Sequence, residues 1–271
     1  MTIGTLVSLG AEIGKSFGEL REMGLGYCQV CGWNDAMYTD EMAETVLAAA
    51  KEHEIKITTY WCGWPGPAVW DFYEGPATLG LVPEAYRFRR LEALLAGSDF
   101  AKKINVRQMA THAGFIPENP STNEYAGVLA ALRVVVKRCA DNSQSFLFET
   151  GQETPVTLLR VIEDLGGENV GINLDPANLL MYGKANPVDA LDVFGKYVRD
   201  VHAKDGEYPV GGRFLGEEKP LGSGRVNFPA FIKKLKTIGY DGPITIEREI
   251  SGEKQRQDIL KAISTLKELI G

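Results

Sequence analysis

Eight times along the chain a short β-branched or apolar run is followed by a longer amphipathic one. That alternation restricts the fold to a parallel sheet with helices packed outside it. The strand-like runs are 3–9, 27–32, 56–61, 105–112, 145–149, 170–175, 198–202 and 243–247. The helix-like runs are 16–23, 40–52, 83–103, 123–142, 155–165, 187–194, 228–238 and 255–269. Pro155, Pro187 and Pro229 suit first helical turns, where a missing N–H costs nothing, and Thr154, Asn186 and Asn227 are placed to cap them. An open doubly wound sheet would want a glycine-rich phosphate turn after an early strand, and none is present. A chain of 271 residues matches the roughly 250 that an eightfold closure needs. The expected fold is α/β, a single (β/α)8 TIM barrel formed by residues 1–271 as one domain.

In such a barrel the chemistry sits where strands end at the C-terminal face. Each of the last four strand-like runs ends in a metal-ligand type: Glu149, Asp175, His202 and Glu247. Parity agrees, because side chains alternate between the two faces of a strand. With Phe146 and Phe148, Ile172 and Leu174, Val201, and Ile244 and Ile246 packed outward on helices, all four donors face the barrel axis. The steps from Glu149 to Asp175 and from Asp175 to His202 are 26 and 27 residues, one βα repeat each. The longer step to Glu247 takes up a glycine-rich loop at 205–224. Three carboxylates and one imidazole make a hard, oxygen-rich site that suits one divalent cation, Mn2+ first, with Mg2+ or Co2+ close behind and Zn2+ less suited.

Charge and cysteine usage remove other classes. A formal net charge of −7 is the wrong sign for general phosphate-backbone binding, so no nucleic-acid partner is expected. No apolar run of about 18 residues marks a membrane span, and no secretory signal is visible, so a cytoplasmic protein is expected. Cys28 and Cys31 have C-x-x-C spacing, but they fall in the strand-like run 27–32. Residues three apart on a strand point to opposite faces and cannot share an ion. Buried thiols in a reducing compartment are the better reading.

The segments Phe148-Glu149-Thr150-Gly151-Gln152-Glu153, Gly171-Ile172-Asn173-Leu174-Asp175-Pro176, Asp200-Val201-His202-Ala203-Lys204-Asp205 and Gly239 through Glu247 together resemble the xylose isomerase-like TIM barrels of sugar phosphate isomerases and epimerases. Pro220-Leu221-Gly222-Ser223-Gly224 adds to the likeness. The resemblance implies a carbohydrate substrate whose neighbouring oxygens bind the metal, homo-oligomerisation, and proton abstraction beside a metal-bound carbonyl through an enediolate. Glu149 and Glu247, on opposite faces of the substrate, would remove and return the proton. A metal-dependent lyase, dehydrating or β-eliminating from a keto-sugar or inosose, starts from the same step and is the alternative reading. An endonuclease IV-like site would need more than the three histidines present. A non-catalytic sugar-binding barrel is the remaining reading.

Several neighbours are candidates for substrate contact. His112 ends the fourth strand-like run and is placed to donate to a sugar hydroxyl. Lys204 shares the inward parity of His202, and Glu153 follows Glu149 at the start of a helix. Arg213 lies in the loop after the seventh strand-like run, where it could grip a substrate oxygen. Ketose 3-epimerases carry a histidine three residues beyond the aspartate ligand. This chain has Asn178 there, which can bond a hydroxyl without carrying charge. Trp33, Trp61 and Trp64 cluster after the second and third strands, where an indole can stack on a sugar ring. Trp70, Phe72 and Tyr73 fall in a Pro/Gly-rich loop long enough for a lid or an oligomer contact.

Overall fold

The computed structural model describes residues 1–271. Eight parallel strands close on themselves: β1 (Thr2–Ser8), β2 (Tyr27–Gly32), β3 (Lys56–Cys62), β4 (Gln108–Thr111), β5 (Ser145–Glu149), β6 (Val170–Leu174), β7 (Val198–Ala203) and β8 (Pro243–Ile246), with β8 pairing back onto β1. The principal helices are α1 (Ile13–Glu22), α2 (Asp40–Glu52), α3 (Glu84–Lys103), α4 (Asn123–Asp141), α5 (Pro155–Leu165), α6 (Pro187–Phe194), α7 (Phe228–Thr237) and α8 (Glu253–Ile270). The expected (β/α)8 barrel is therefore the observed one.

Local chemistry sets the element ends. Thr154 Oγ1 accepts from Thr157 N, Asn186 Oδ1 from the amides of Val188 and Asp189, and Asn227 Oδ1 from Ala230 N. Each cap precedes or flanks a proline in the first turn, where its missing donor is harmless. Helix α1 begins at Ile13, three residues earlier than its sequence pattern indicates. The strand-like run at 105–112 shortens to Gln108–Thr111, because Asn105 adopts a left-handed backbone (φ 59°) as the chain leaves α3. A short helix, Pro176–Met181, and a small antiparallel pairing of 205–206 with 218–219 were not legible as separate elements.

Two apolar layers follow from strand alternation. Phe146, Phe148, Ile172, Leu174, Val201, Ile244 and Ile246 are buried in the layer between barrel and helices. Leu147 points the other way, into a small interior cluster with Cys31, Trp61, Trp64, Leu79 and Ala110. Cys28 lies in the outer layer and Cys31 in the inner one, and all four cysteines are free and buried. The C-x-x-C pair is thus split across the sheet, as its strand position dictates.

Below the C-terminal mouth the interior is polar but paired. Asp200, fully buried, accepts from Thr59 Oγ1 at 2.7 Å and Thr245 Oγ1 at 3.3 Å, while Gln29 Nε2 donates to Asn173 Oδ1 at 3.1 Å. A satisfied network of this kind fixes side-chain positions far better than an apolar floor would.

The segment between β3 and α3 is held from beneath by one cation. Arg90 is fully buried and donates to the carbonyls of Pro65 (3.2 Å), Gly80 (2.7 Å) and Pro67 (2.7 Å), with its guanidinium over Tyr86. Gly80 sits at φ 65° against the Ala113 carbonyl, a backbone that only glycine takes without strain or collision. Arg90→Leu leaves three carbonyls without donors and is expected to cost about 3 kcal/mol, with new protease sensitivity between residues 65 and 80. Urea unfolding and limited proteolysis check this; an unchanged midpoint and cleavage pattern would refute the stapling role.

Candidate metal centre

Strand register explains why these four residue types meet. Asn173 pairs with Asp200 and Leu174 with Val201, so Asp175 and His202 stand level at the rim. Glu149 pairs with Asn173, one inward-facing layer below Asp175, and Thr245 pairs with His202, which puts Glu247 one layer above. The two longer side chains therefore reach from the layers above and below towards the shorter aspartate and imidazole. One donor atom from each of Glu149, Asp175, His202 and Glu247 lies within 4.8 Å of every other.

The four do not simply bond one another. His202 Nδ1 is 2.9 Å from Glu247 Oε2, 3.1 Å from Glu149 Oε1 and 3.9 Å from Asp175 Oδ2. Yet His202 Nδ1, Asp175 Oδ2 and Glu247 Oε2 are buried and make no hydrogen bond. Buried polar atoms are nearly always partnered. Three that converge without mutual alignment fit a common centre placed between them, and the donor set of one imidazole and three carboxylates fits a divalent cation.

The remaining atoms of each donor are tied down. Asp175 caps the helix Pro176–Met181, with Oδ1 accepting from Asn178 N at 2.8 Å, so only Oδ2 is left for the site. Its backbone exchanges bonds with Thr150 Oγ1. Trp61 Nε1 donates to Glu149 Oε2, leaving Oε1 towards His202. His202 Nε2 lies between an acceptor and a donor, 2.9 Å from Gln29 Oε1 and 3.0 Å from Asn173 Nδ2. A proton on Nε2 donated to that oxygen leaves Nδ1 as a lone pair aimed at the carboxylates, the tautomer that ligation needs. Gln29→Leu is expected to weaken Mn2+ binding by about 10- to 100-fold without unfolding the barrel. Calorimetric titration of the variant checks it, and an unchanged affinity would show that Gln29 does not orient the ring.

Electrostatics reinforce the arrangement. Burial lowers the His202 pKa, but Glu149 and Glu247 outweigh it and hold the ring well above its ordinary value. Burial likewise opposes ionisation of Glu149 and Glu247. His112 and His202 overcome it at Glu149, and Lys204 and His202 overcome it at Glu247, so both carboxyls fall below their ordinary range. Asp175 goes the other way, since burial exceeds the help it receives from Lys204 and His202. A metal-free site thus crowds carboxylates around a charged imidazole.

The other candidates separate by place. His112, Trp33 and Asn178 line a cavity of about 340 Å3 that opens on Glu149 and Glu247. His112 Nε2 is 3.5 Å from Glu149 Oε1. Lys204 is buried behind the carboxylates, 3.0 Å from Glu249 Oε1, 3.5 Å from Glu247 Oε2 and 3.7 Å from Asp175 Oδ2. Glu153 is buried outside the cavity lining with Oε1 unpartnered, and burial pushes its carboxyl up to about 8. Arg213 stays on an exposed turn, and it is Leu215, two residues on, that lines the cavity. Its glycine-flanked loop has no periodicity that would signal this. Sequence reasoning missed Gln29, Glu249 and Tyr182. Gln29 had a legible signal, an inward-parity polar residue between outward Cys28 and Val30; the other two sit on irregular backbone with none.

Comparison with known proteins bears on the fold and the family. Residues 17–269 match the family described as xylose isomerase-like TIM barrel. An uncharacterized protein of Methanocaldococcus jannaschii is 28% identical over 199 residues, which is 69% of this chain and 64% of that protein, so the match spans less than two thirds of the relative. The crystal structure of a xylose isomerase domain protein from Planctomyces limnophilus superposes with a TM-score of 0.91 at 33% identity, covering 99% of this chain and 96% of the other. A D-tagatose 3-epimerase-like protein gives a TM-score of 0.76 at 22% identity over 100% and 97% of the two chains. Sugar epimerases and a dehydratase share the fold at lower identity, a likeness that speaks for fold alone.

Proposed function

The chain belongs to the xylose isomerase-like TIM barrel family, and from that premise we propose that it is a divalent-metal-dependent sugar isomerase or epimerase. The observation that carries this reading is the meeting of Glu149, Asp175, His202 and Glu247 within 4.8 Å at the floor of an open cavity. These four residues would hold the cation, Mn2+ by preference. Bound there, it would polarise a substrate carbonyl and make the neighbouring C–H proton easier to remove.

The proton traffic falls to Glu149 and Glu247. Both are held ionised by the cations around them, the state a base requires. They project from strands on different sides of the cluster, β5 and β8, so one can take a proton from one face while the other returns it to the opposite face. Lys204 fixes Glu247 from behind and leaves its reach into the cavity free. His112, beside Glu149, is placed to donate to a substrate hydroxyl, and Asn178 to bond another. Trp61 locks the Glu149 carboxylate through its indole N–H.

A metal-dependent lyase is the second reading, since dehydration or β-elimination begins with the same proton abstraction beside the carbonyl. One experiment addresses both readings. Ketoses, keto-sugars and inososes are incubated with the Mn2+-loaded protein in heavy water and followed by NMR. Deuterium entry beside the carbonyl supports proton abstraction, with rearranged sugar marking an isomerase or epimerase and loss of water marking a lyase. No exchange with any member of the panel would contradict both.

A further inference from the structure

The cavity over the metal centre has walls whose chemistry bears on what it can hold. One wall is the indoles of Trp33, Trp61 and Trp70, backed by the buried Trp64: Trp33 lies 5.0 Å from Trp61, 5.5 Å from Trp64 and 6.4 Å from Trp70, centroid to centroid. His112 packs at 5.0 Å from Trp70 and 5.8 Å from Trp61. Trp61 and Trp64 are buried, but Trp33 and Trp70 remain 44% and 39% exposed. Their position is built in. Gly63 leaves room for Trp33, since a Cβ there would come within 2.5 Å of its ring, and Arg90 secures the loop that carries Trp70. Large apolar faces held open to water beside a candidate reaction centre are surface waiting for a ligand.

The charge of the same space is one-sided. The lining contains Glu149, Glu247 and Glu249 and neither lysine nor arginine. Lys204 and the arginines of the neighbouring cleft are already engaged. Lys204 is shared among Glu249, Glu247 and Asp175. A wider cleft between α1 and α8 contains Arg248 and Arg256. Arg248 is bound by Glu218 at 2.7 Å and Asp258 at 2.9 Å, and Arg256 faces Glu22 at 3.5 Å. Four carboxylates against one ammonium leave the centre net negative even with a divalent ion bound. A phosphate or carboxylate on the substrate would enter against that field with no lysine or arginine in the lining to receive it; Arg213, two residues from Leu215, stands in solvent outside the lining.

Resting on the reading of the site as sugar-transforming, we propose that the cavity takes an uncharged sugar whose ring itself carries the keto group, its flat C–H face laid on Trp33 and Trp70, and discriminates against phosphorylated or acidic sugars. A ring offers a rigid apolar face to an indole, whereas an open chain must be ordered to do so.

Calorimetric titration of the Mn2+-loaded full chain with methyl β-D-glucopyranoside and with glucose 6-phosphate tests this. Saturable binding of the glucoside, at least about tenfold tighter than the phosphate, is expected, and Trp33→Ala and Trp70→Ala should each weaken it about tenfold. Trp70→Phe, which keeps a stacking face, should restore most of the loss. Mn2+ titration and thermal unfolding of each variant confirm that the centre and the fold survive. Absent glucoside binding, equal or tighter binding of the phosphate, or alanine variants that bind like the parent would each overturn the proposal. Deuterium exchange on a phosphorylated ketose would refute it while leaving the proton-abstraction reading intact. Glucoside binding with no exchange on any substrate would sink that reading instead.

Discussion

Glu247→Gln, assayed at saturating Mn2+, lowers the rate of deuterium exchange beside the substrate carbonyl by about 100- to 10,000-fold, the usual contribution of a positioned acid–base group. Glu149→Gln has an effect of the same order. The amide keeps an oxygen that can still ligate a cation, so the loss exceeds any loss of metal occupancy, which is measured in parallel. On the proposal that the two carboxylates act on one substrate from two sides, the double variant should fall little further than the worse single one. For an epimerase the two singles differ in a telling way: each blocks exchange from one epimer more than from the other. A variant that keeps more than a tenth of the parent rate at full occupancy would remove that glutamate from the proton path.

Metal removal gives the second large effect. Chelation is expected to abolish exchange, and restoring Mn2+ to recover it. Loading also stabilises the fold, by about 2.7 kcal/mol at a free ion concentration 100 times the Kd, which thermal unfolding reads directly. Uptake must displace a proton. In the metal-free protein Glu149 and Glu247 hold His202 charged well above its ordinary range, and only the neutral ring can ligate. Near neutral pH about one proton leaves per ion bound, so affinity falls roughly tenfold for each unit that pH drops below the raised His202 value. Calorimetry in two buffers of different ionisation enthalpy counts that proton. No release, or affinity that rises on acidification, would mean that His202 is neutral before binding or is not a ligand.

The sequence made the barrel and the centre legible because strands report their geometry with a period of two. Phe146 and Phe148 outward force Glu149 inward, and the same logic at Ile172, Val201 and Ile244 places the other three donors. Helix starts were readable from Thr154, Asn186 and Asn227, each near a proline. The supporting shell was less accessible, since Asp175 acting as a helix cap and Trp61 reaching Glu149 from two strands away depend on tertiary distance. Arg213 lies where pattern reading has least to work with. Its loop has no periodicity, and the side chain stands in solvent while Leu215 turns in. Lys204 had the right parity, yet it is spent on carboxylates behind the centre and does not line the cavity.

Anomalous diffraction from a crystal soaked in Mn2+ tests the shared ion most directly. A single peak between Glu149, Asp175, His202 and Glu247, about 2.0–2.6 Å from a donor atom of each, is the predicted result. A peak elsewhere, or none with the four side chains ordered, would contradict it.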